Sequence, residues 1–418
     1  MHELDVWLRG DCVGTLSIPQ GRLQFTYAPD WLQRPDAMPL SCSLPLQTEP
    51  FDDARARPFF AGLLPEGRLR RTIARQFHVS GQNDFALLDH IGGECAGAVT
   101  FLEPGRTPPA AAEWGVQWLD DTELVELLDE LPHRPMLAGK DGLRLSLAGA
   151  QDKLPVIVSE GRIGLPLGGA PSTHILKRPI DGVDDSVSNE AFCMALAAAM
   201  GLRVAPCRIG SVRERRYLLV ERYDRTRDTR GVVRRLHQED FCQAIGVDPE
   251  AKYQNEGGPG LAQCFALLRE VLRLDARQVL SMLDYVVFHA LTGNHDAHAK
   301  NFSLLYTEAG VELAPLYDAL STAVYPRLTP RMAMKLGGKY RFSEVYARHW
   351  VRFAEEAGFS ASQTRKRILQ FADRLPTAAL TLQQRPDSGF AGSEVVDRIV
   401  RLIAQRVAVT AQRLQADA

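Results

Sequence analysis

Apolar and polar positions change their spacing along the chain. VWLRGDCVGTLSI (6–18) and GRLQFTYAP (21–29) come close to alternating between Gly and Pro turns, the pattern of half-buried strands. A helical patch is expected over FFAGLLPEGRLRRTIARQF (59–77), and a return to strand with glycine turns over ALLDHIGGECAGAVTFLEPG (86–105). PGRTPPAAA (104–112) reads as a linker. DDTELVELLDEL (120–131) predicts a short helix capped by Asp121 or Thr122, with Leu124, Leu127 and Leu128 on one face. LRLSL, KLPVIV, THILKRP and RRYLLVERYD, between 143 and 224, are strand candidates. A helix over about 186–201 interrupts them, with Gly201 as its cap. From about 237 apolar residues take helical spacing in EDFCQAI, GLAQCFALLREVL, ARQVLSMLDYVVFHALT and the tail from about 345. The pattern predicts a mixed first half and a mostly helical second half, changing near 223–237.

At 418 residues, two or three domains or lobes are expected. Hydrophobic residues at 45% and charged residues at 24% exclude fibrous and wholly disordered classes. Lys+Arg 49 against Asp+Glu 51 gives net −2, which does not suit a protein that coats nucleic acid by charge alone. The basic stretches RLRRTIAR (68–75) and VRERR (212–216) are short and read as solvated faces. The start, with Glu3 and Asp5 and no apolar run, does not resemble a signal peptide, and AFCMALAAAM (191–200) is about half the length a bilayer needs. Seven cysteines, none in C-x-x-C spacing, read as small buried hydrophobes in a reducing compartment. These features together predict a cytoplasmic chain without membrane contact.

Candidate chemistry lies in TGNHDAHAKN (292–301), after a long apolar-faced helix and before the strand candidate FSLLY. Asp296 and Asn301 have the D-x-x-x-x-N spacing of a protein-kinase catalytic loop, in which the Asp meets the acceptor hydroxyl and the Asn holds a metal. The bare spacing by itself is better explained by a polar helix-to-strand loop with capping Asn and Asp. Asp318, 17 positions after Asn301 and following an apolar stretch, stands where kinases carry a second metal ligand, although Ala319 and Leu320 follow it instead of Phe-Gly. Mg²⁺ takes hard oxygen ligands such as these and retains water. Lys177, ending THILKRP, suits a lysine on ATP phosphates, and Glu190 on the next helix suits its ion-pair partner or an offset to the helix dipole. Gly149 offers a small-residue turn whose N–H groups could approach phosphate, or a plain hairpin turn. No G-x-S-x-G or H-E-x-x-H points to a hydrolase.

The segments FFAGLLPEG, SLAGAQDKLPV, THILKRP, SNEAFC, LLVERYDR, HQEDFCQA with KYQNEGGPG, NHDAHAKNFSLL and APLYDALS together resemble the HipA family, nearly end to end. These are bacterial serine/threonine kinases that act as toxins of toxin–antitoxin pairs. The resemblance implies an α+β, bilobal, protein-kinase-like fold, with a strand-rich N-terminal lobe and a mostly helical C-terminal lobe. It implies a β-rich subdomain at 1–105, the rest of the N-lobe at 106–230 and a helical C-lobe at 231–418. It makes Asp296 catalytic and Asn301 and Asp318 the Mg²⁺ ligands. ATP would be held by Lys177, by Gly149, Ala150 and Gln151 of the phosphate-binding loop, and by His298 and Lys300 near the phosphates. Glu221 and Tyr223 would form the hinge that docks adenine. Ser146 matches the serine that family members autophosphorylate, silencing themselves by pulling out the phosphate-binding loop. Implied partners are a HipB-like helix-turn-helix antitoxin, operator DNA through that antitoxin, and an aminoacyl-tRNA synthetase as substrate. The alternatives are a catalytically weak kinase fold serving as a co-repressor scaffold, and a small-molecule kinase.

Overall fold

The computed structural model describes residues 2–272 and 275–416. The chain forms two compact units interleaved in sequence. One comprises Met1–Arg178, Gly210–Glu250 and Leu304–Gly310; the other comprises Pro179–Ile209, Ala251–Ser303 and Val311–Ala418.

The first unit is strand-rich. The alternating start builds an antiparallel sheet in the order Gln24–Tyr27, Asp11–Ser17, Glu3–Leu8, Val99–Leu102. Its inward face meets helix Asp53–Gly62 in an aromatic core, where the Phe25 and Phe60 rings lie 5.4 Å apart and Phe60 and Phe101 5.9 Å. A second sheet runs Gly115–Trp118, Arg162–Leu167, Lys153–Ser159, His174–Lys177, Arg215–Glu221, with residues 210–212 at its edge.

Three local expectations are corrected. Residues 86–91 of the supposed strand region belong to helix Asp84–Ile91, capped by the Asn83 side chain on Ala86 N–H at 3.0 Å. Phe85, Leu87, Leu88 and Ile91 are buried at helical spacing, but the helix has only 8 residues, too short a window for its period to stand out from the strand-like residues that follow. LRLSL is no ladder strand. Leu143, Leu145 and Leu147 are buried alternately, but the backbone clasps only Glu94, whose N–H meets Arg144 O at 2.8 Å. Helix Asp121–Glu130 is capped by Asp120, one residue earlier than read, in a reciprocal box with Glu123.

The second unit is mostly helical. Helix Glu394–Ala416 buries Val396, Ile399, Val400, Ile403, Val407 and Leu414, and packs on helix Ala361–Gln384, which buries Ile368, Phe371, Ala372 and Leu375. Helix Ser186–Ala199 joins them, ending at Met200 with left-handed Gly201 just beyond. Among the described residues no disulfide joins the seven cysteines; Cys95, Cys193, Cys242 and Cys264 are buried, while Cys12, Cys42 and Cys207 are half-buried. Among the described residues no helix is long and apolar enough to cross a membrane.

Candidate active site

In the second unit, helix Ala276–Thr292 is buried at every position from Met282 to Thr292, which fixes its end in the core. Gly293 stops it in the left-handed region at φ 81°. The loop beyond is held by neutral imidazole, amide and hydroxyl groups together with one guanidinium. The Asn294 amide donates to His289 Nδ1 at 3.1 Å. His295 N–H meets Thr322 Oγ1 at 2.8 Å, and His295 O accepts from Ala333 N–H at 2.7 Å. Arg406 donates to His295 Nε2 and to Ala290 O, both at 2.7 Å, and lies over the Phe342 ring. Because Arg has no acceptor, His295 is neutral, with its proton on Nδ1. Burial pushes His289 down to about 4, and burial followed by the Arg406 charge does the same to His295.

From this frame Asp296 is exposed, while His298, Lys300 and Asn301 after it are buried. The Asp296 N–H donates to Asn294 Oδ1 at 3.0 Å, and its Oδ1 accepts from the Tyr253 hydroxyl at 2.8 Å. Lys300 is anchored through its carbonyl, which accepts from Tyr317 OH at 2.7 Å. Ala314 N–H bonds Ser303 O at 2.8 Å and so brings residue 318 back towards 301. Asn301 Nδ2 lies 3.4 Å from Asp318 Oδ2. Asp318 adopts φ 57°, a left-handed conformation that is uncommon for a residue with a Cβ. The Asn189 amide fixes the chain just beyond it: Nδ2 donates to Ser321 O at 3.0 Å and Oδ1 accepts from Ser321 N–H at 2.7 Å. One carboxylate and one amide, both hard oxygen donors, suit Mg²⁺, which keeps most of its water. Glu190 is buried beside Asn189 on helix Ser186–Ala199.

In the first unit, Ser146 is fully buried. Its Oγ donates to Leu63 O at 2.8 Å and its N–H to Glu94 O at 2.9 Å. Gly149 has φ 106°; its carbonyl accepts from Glu66 N–H at 3.0 Å, and a Cβ there would stand 2.7 Å from Lys153 Nζ. The lysine end can move aside, so it is the positive φ that favours glycine here. Ala150 is exposed, and the Gln151 amide donates to Arg178 O at 2.8 Å. Lys153 and Lys177 are directly paired across neighbouring strands and therefore share a face. Two like charges so placed cost energy unless an anion meets them. Lys153 was missed at the sequence level, although it lies in the quoted SLAGAQDKLPV; the signal was its register, which only the ladder supplies.

Glu221 pairs with His174 three rungs from Lys177, and is exposed. The Tyr223 hydroxyl bonds Gln238 Oε1. Between them Arg222 is buried, forking onto Asp224 at 2.7 and 2.9 Å and reaching Ser172 Oγ and Cys95 O at 3.0 Å. Glu94 accepts from Arg225 and from Arg235 Nε, each at 2.8 Å. Burial pushes the Glu94 carboxyl up, but the guanidiniums of Arg235, Arg225 and Arg222 reverse this and hold it well below the usual carboxylate range. Within the first unit, Glu94 therefore ties the Ser146 segment to the residues around 221–225.

Two family models match the chain: the HipA N-terminal domain over residues 4–102 and the HipA-like C-terminal domain over 145–379. The Y4mE protein of Sinorhizobium fredii, whose name places it among kinases, is 46% identical over 410 residues, 97% of this chain and 98% of its own. The serine/threonine-protein kinase toxin HipA of Shewanella oneidensis is 30% identical over 366 residues, 84% of this chain and 82% of its own. HipA from the solved complex of Shewanella oneidensis HipA, HipB and operator DNA superposes with a TM-score of 0.85 at 27% identity, covering 99% of this chain and 98% of that one. With the C-terminal domain model alone spanning more than half of its length, this chain belongs to the HipA family and has the kinase-like α+β fold of that family.

Proposed function

We propose that this chain is an ATP- and Mg²⁺-dependent serine/threonine protein kinase acting in the cytoplasm as the toxin of a HipA/HipB-type pair. The observation that carries the reading is Asp318, held at φ 57° beside Asn301 and downstream of the exposed Asp296. Strained backbone of this kind concentrates at functional sites. The name of the Shewanella relative as a kinase toxin supports the same reading.

Asp296 accepts the proton of the acceptor hydroxyl as that oxygen attacks the γ-phosphorus and ADP departs. Asn301 and Asp318 would hold Mg²⁺, which when bound supplies charge neutralisation on the phosphates. Lys177, with Lys153 beside it, places positive charge at the phosphates, and Gly149, Ala150 and Gln151 present backbone N–H groups to them. His298 and Lys300 add polar support near the phosphates, and Glu221 and Tyr223 dock adenine through their backbone. On this reading nucleotide binding belongs to residues 106–230, transfer to 231–418, and residues 1–105 form the β-rich subdomain.

Autophosphorylation at Ser146 is the proposed off-switch. A phosphate brings nearly two negative charges, and Ser146 has no exposed surface. The segment must leave its bonds to Leu63 and Glu94 before modification, and cannot return afterwards. The proposed partners are a HipB-like antitoxin, operator DNA through it, and an aminoacyl-tRNA synthetase as substrate. The solved complex of the Shewanella protein with HipB and operator DNA supports the first two.

The test is intact-mass spectrometry after incubation with Mg-ATP, beside Asp296→Asn. A gain of one phosphate at Ser146, absent from the variant, is expected. No gain from an unmodified starting mass would instead favour the co-repressor scaffold.

A further inference from the structure

The segment KYQNEGGPG, 252–260, has a distinctive sequence that none of the roles above uses. In the second unit it forms a tight turn. Tyr253 O accepts from Glu256 N–H at 2.9 Å and from Gly258 N–H at 3.0 Å. A Cβ on Gly258 would stand 2.2 Å from Ala251 O, so the chain can double back here only without a side chain. Gln254 Oε1 accepts from Lys335 N–H at 2.6 Å, tying the turn to strand Arg331–Leu336. The same strand holds the catalytic loop, through Ala333 N–H on His295 O at 2.7 Å. Turn and loop are thus fixed to one support, and the side chain the turn delivers is Tyr253. Its hydroxyl is 2.8 Å from Asp296 Oδ1, and its ring stands edge-on to His298 at 5.4 Å.

A hydroxyl donating to Asp296 is what an acceptor serine or threonine must present. The phenol is not needed to satisfy a buried charge, because Asp296 is exposed and water would serve. An exposed hydrogen bond of this kind is weak enough for another hydroxyl to displace. We propose that Tyr253 is the acceptor-site gate: it occupies the hydroxyl position at Asp296 and must swing away before a protein serine or threonine, or water, can be phosphorylated. This rests on reading Asp296 as the carboxylate that meets the acceptor.

With water as acceptor, its oxygen bonds the γ-phosphorus of ATP, the bond to the β-phosphate oxygen breaks, ADP leaves and Asp296 takes the proton. Multiple-turnover ADP release from Mg-ATP, with the full chain and no protein acceptor, therefore reads the gate directly. Tyr253→Phe is expected to raise release roughly fivefold, the factor that one hydrogen bond of ordinary net strength imposes. Asp296→Asn should abolish release in both backgrounds. If Asp296→Asn alone keeps wild-type release, the reading of Asp296 fails and the gate with it. If Asp296→Asn is silent and Tyr253→Phe turns over at or below the wild-type rate, the gate is overturned and Asp296 stands. Should Tyr253→Phe melt early, Gly258→Ala displaces the turn with the phenol intact. The same rise is expected there, and a folded Gly258→Ala without it overturns the gate.

Discussion

The loop around Ser146 and Gly149 in the first unit and the loop around Asp296 and Asn301 in the second are held by different chemistry. The first hangs on Glu94, whose backbone bonds Ser146 and whose carboxylate sits in a buried cluster with Arg222, Arg225 and Arg235. The second is braced by neutral imidazoles and amides, His289 with Asn294 and His295 beneath Arg406. Buried charge is intolerant of losing a member but indifferent to mild acid. A neutral imidazole kept from water has the opposite weakness. The loops also differ in what they show to solvent. Ser146 is sealed and Asp296 is open, a difference that suits the proposed release of Ser146 before modification and the proposed meeting of Asp296 with an acceptor.

The comparison can be broken most severely at Glu94. Glu94→Gln leaves the guanidiniums of Arg222, Arg225 and Arg235 short of an anion, the first two of them buried, and should cost about 3–5 kcal/mol of stability in a urea melt. A loss below about 1 kcal/mol would mean the cluster is not what holds the first loop.

Acid sharpens it next. His289 and His295 fall from 6.5 to about 4 in the folded chain, so between those values the unfolded chain binds more protons. Stability conferred by their neutral forms is present above about 6.5 and is lost as pH falls through about 4, on the order of 2–3 kcal/mol per histidine. In the first unit His237 behaves alike, at about 4, whereas Glu94 stays ionised throughout that window. Urea midpoints followed from pH 7 to pH 4 should fall, and His289→Gln should flatten the fall. An unchanged slope in that variant would contradict the neutral bracing of the second loop.

The smallest effect on stability is expected at Asp318. Gly adopts φ 57° without strain but loosens the unfolded chain, so Asp318→Gly should shift stability by less than about 1 kcal/mol. Phosphoryl transfer in the same variant should fall by roughly a hundredfold or more, since the loop loses a ligand and not its frame. A variant that unfolds, or that transfers phosphate at the wild-type rate, removes Asp318 from the metal site.

Periodicity served well where one face was buried. The helix over 276–292 and the alternating strands of the first 30 residues were readable because burial there is one-sided or continuous. It failed at Asp84–Ile91, whose two turns are too short for the period to register, and at 143–147, where the leucines alternate without a ladder partner. For the site, Asp296, Asn301 and Asp318 were legible because their spacing is local. Lys153, Tyr253, Asn189 and Arg406 were not, because each acts through a partner distant in sequence.

By itself the sequence determined the mixed character of the first half and the mostly helical character of the second, the residues of the candidate loop at 292–301 and the family they point to. Those depend on spacing within short segments, which the chain carries before it folds. Tertiary structure decided which lysine stands opposite Lys177, that Ser146 is sealed, that Asp318 is bent beside Asn301, and that a tyrosine from 43 positions upstream rests on Asp296. These depend on register, burial and loop closure, which no local pattern encodes.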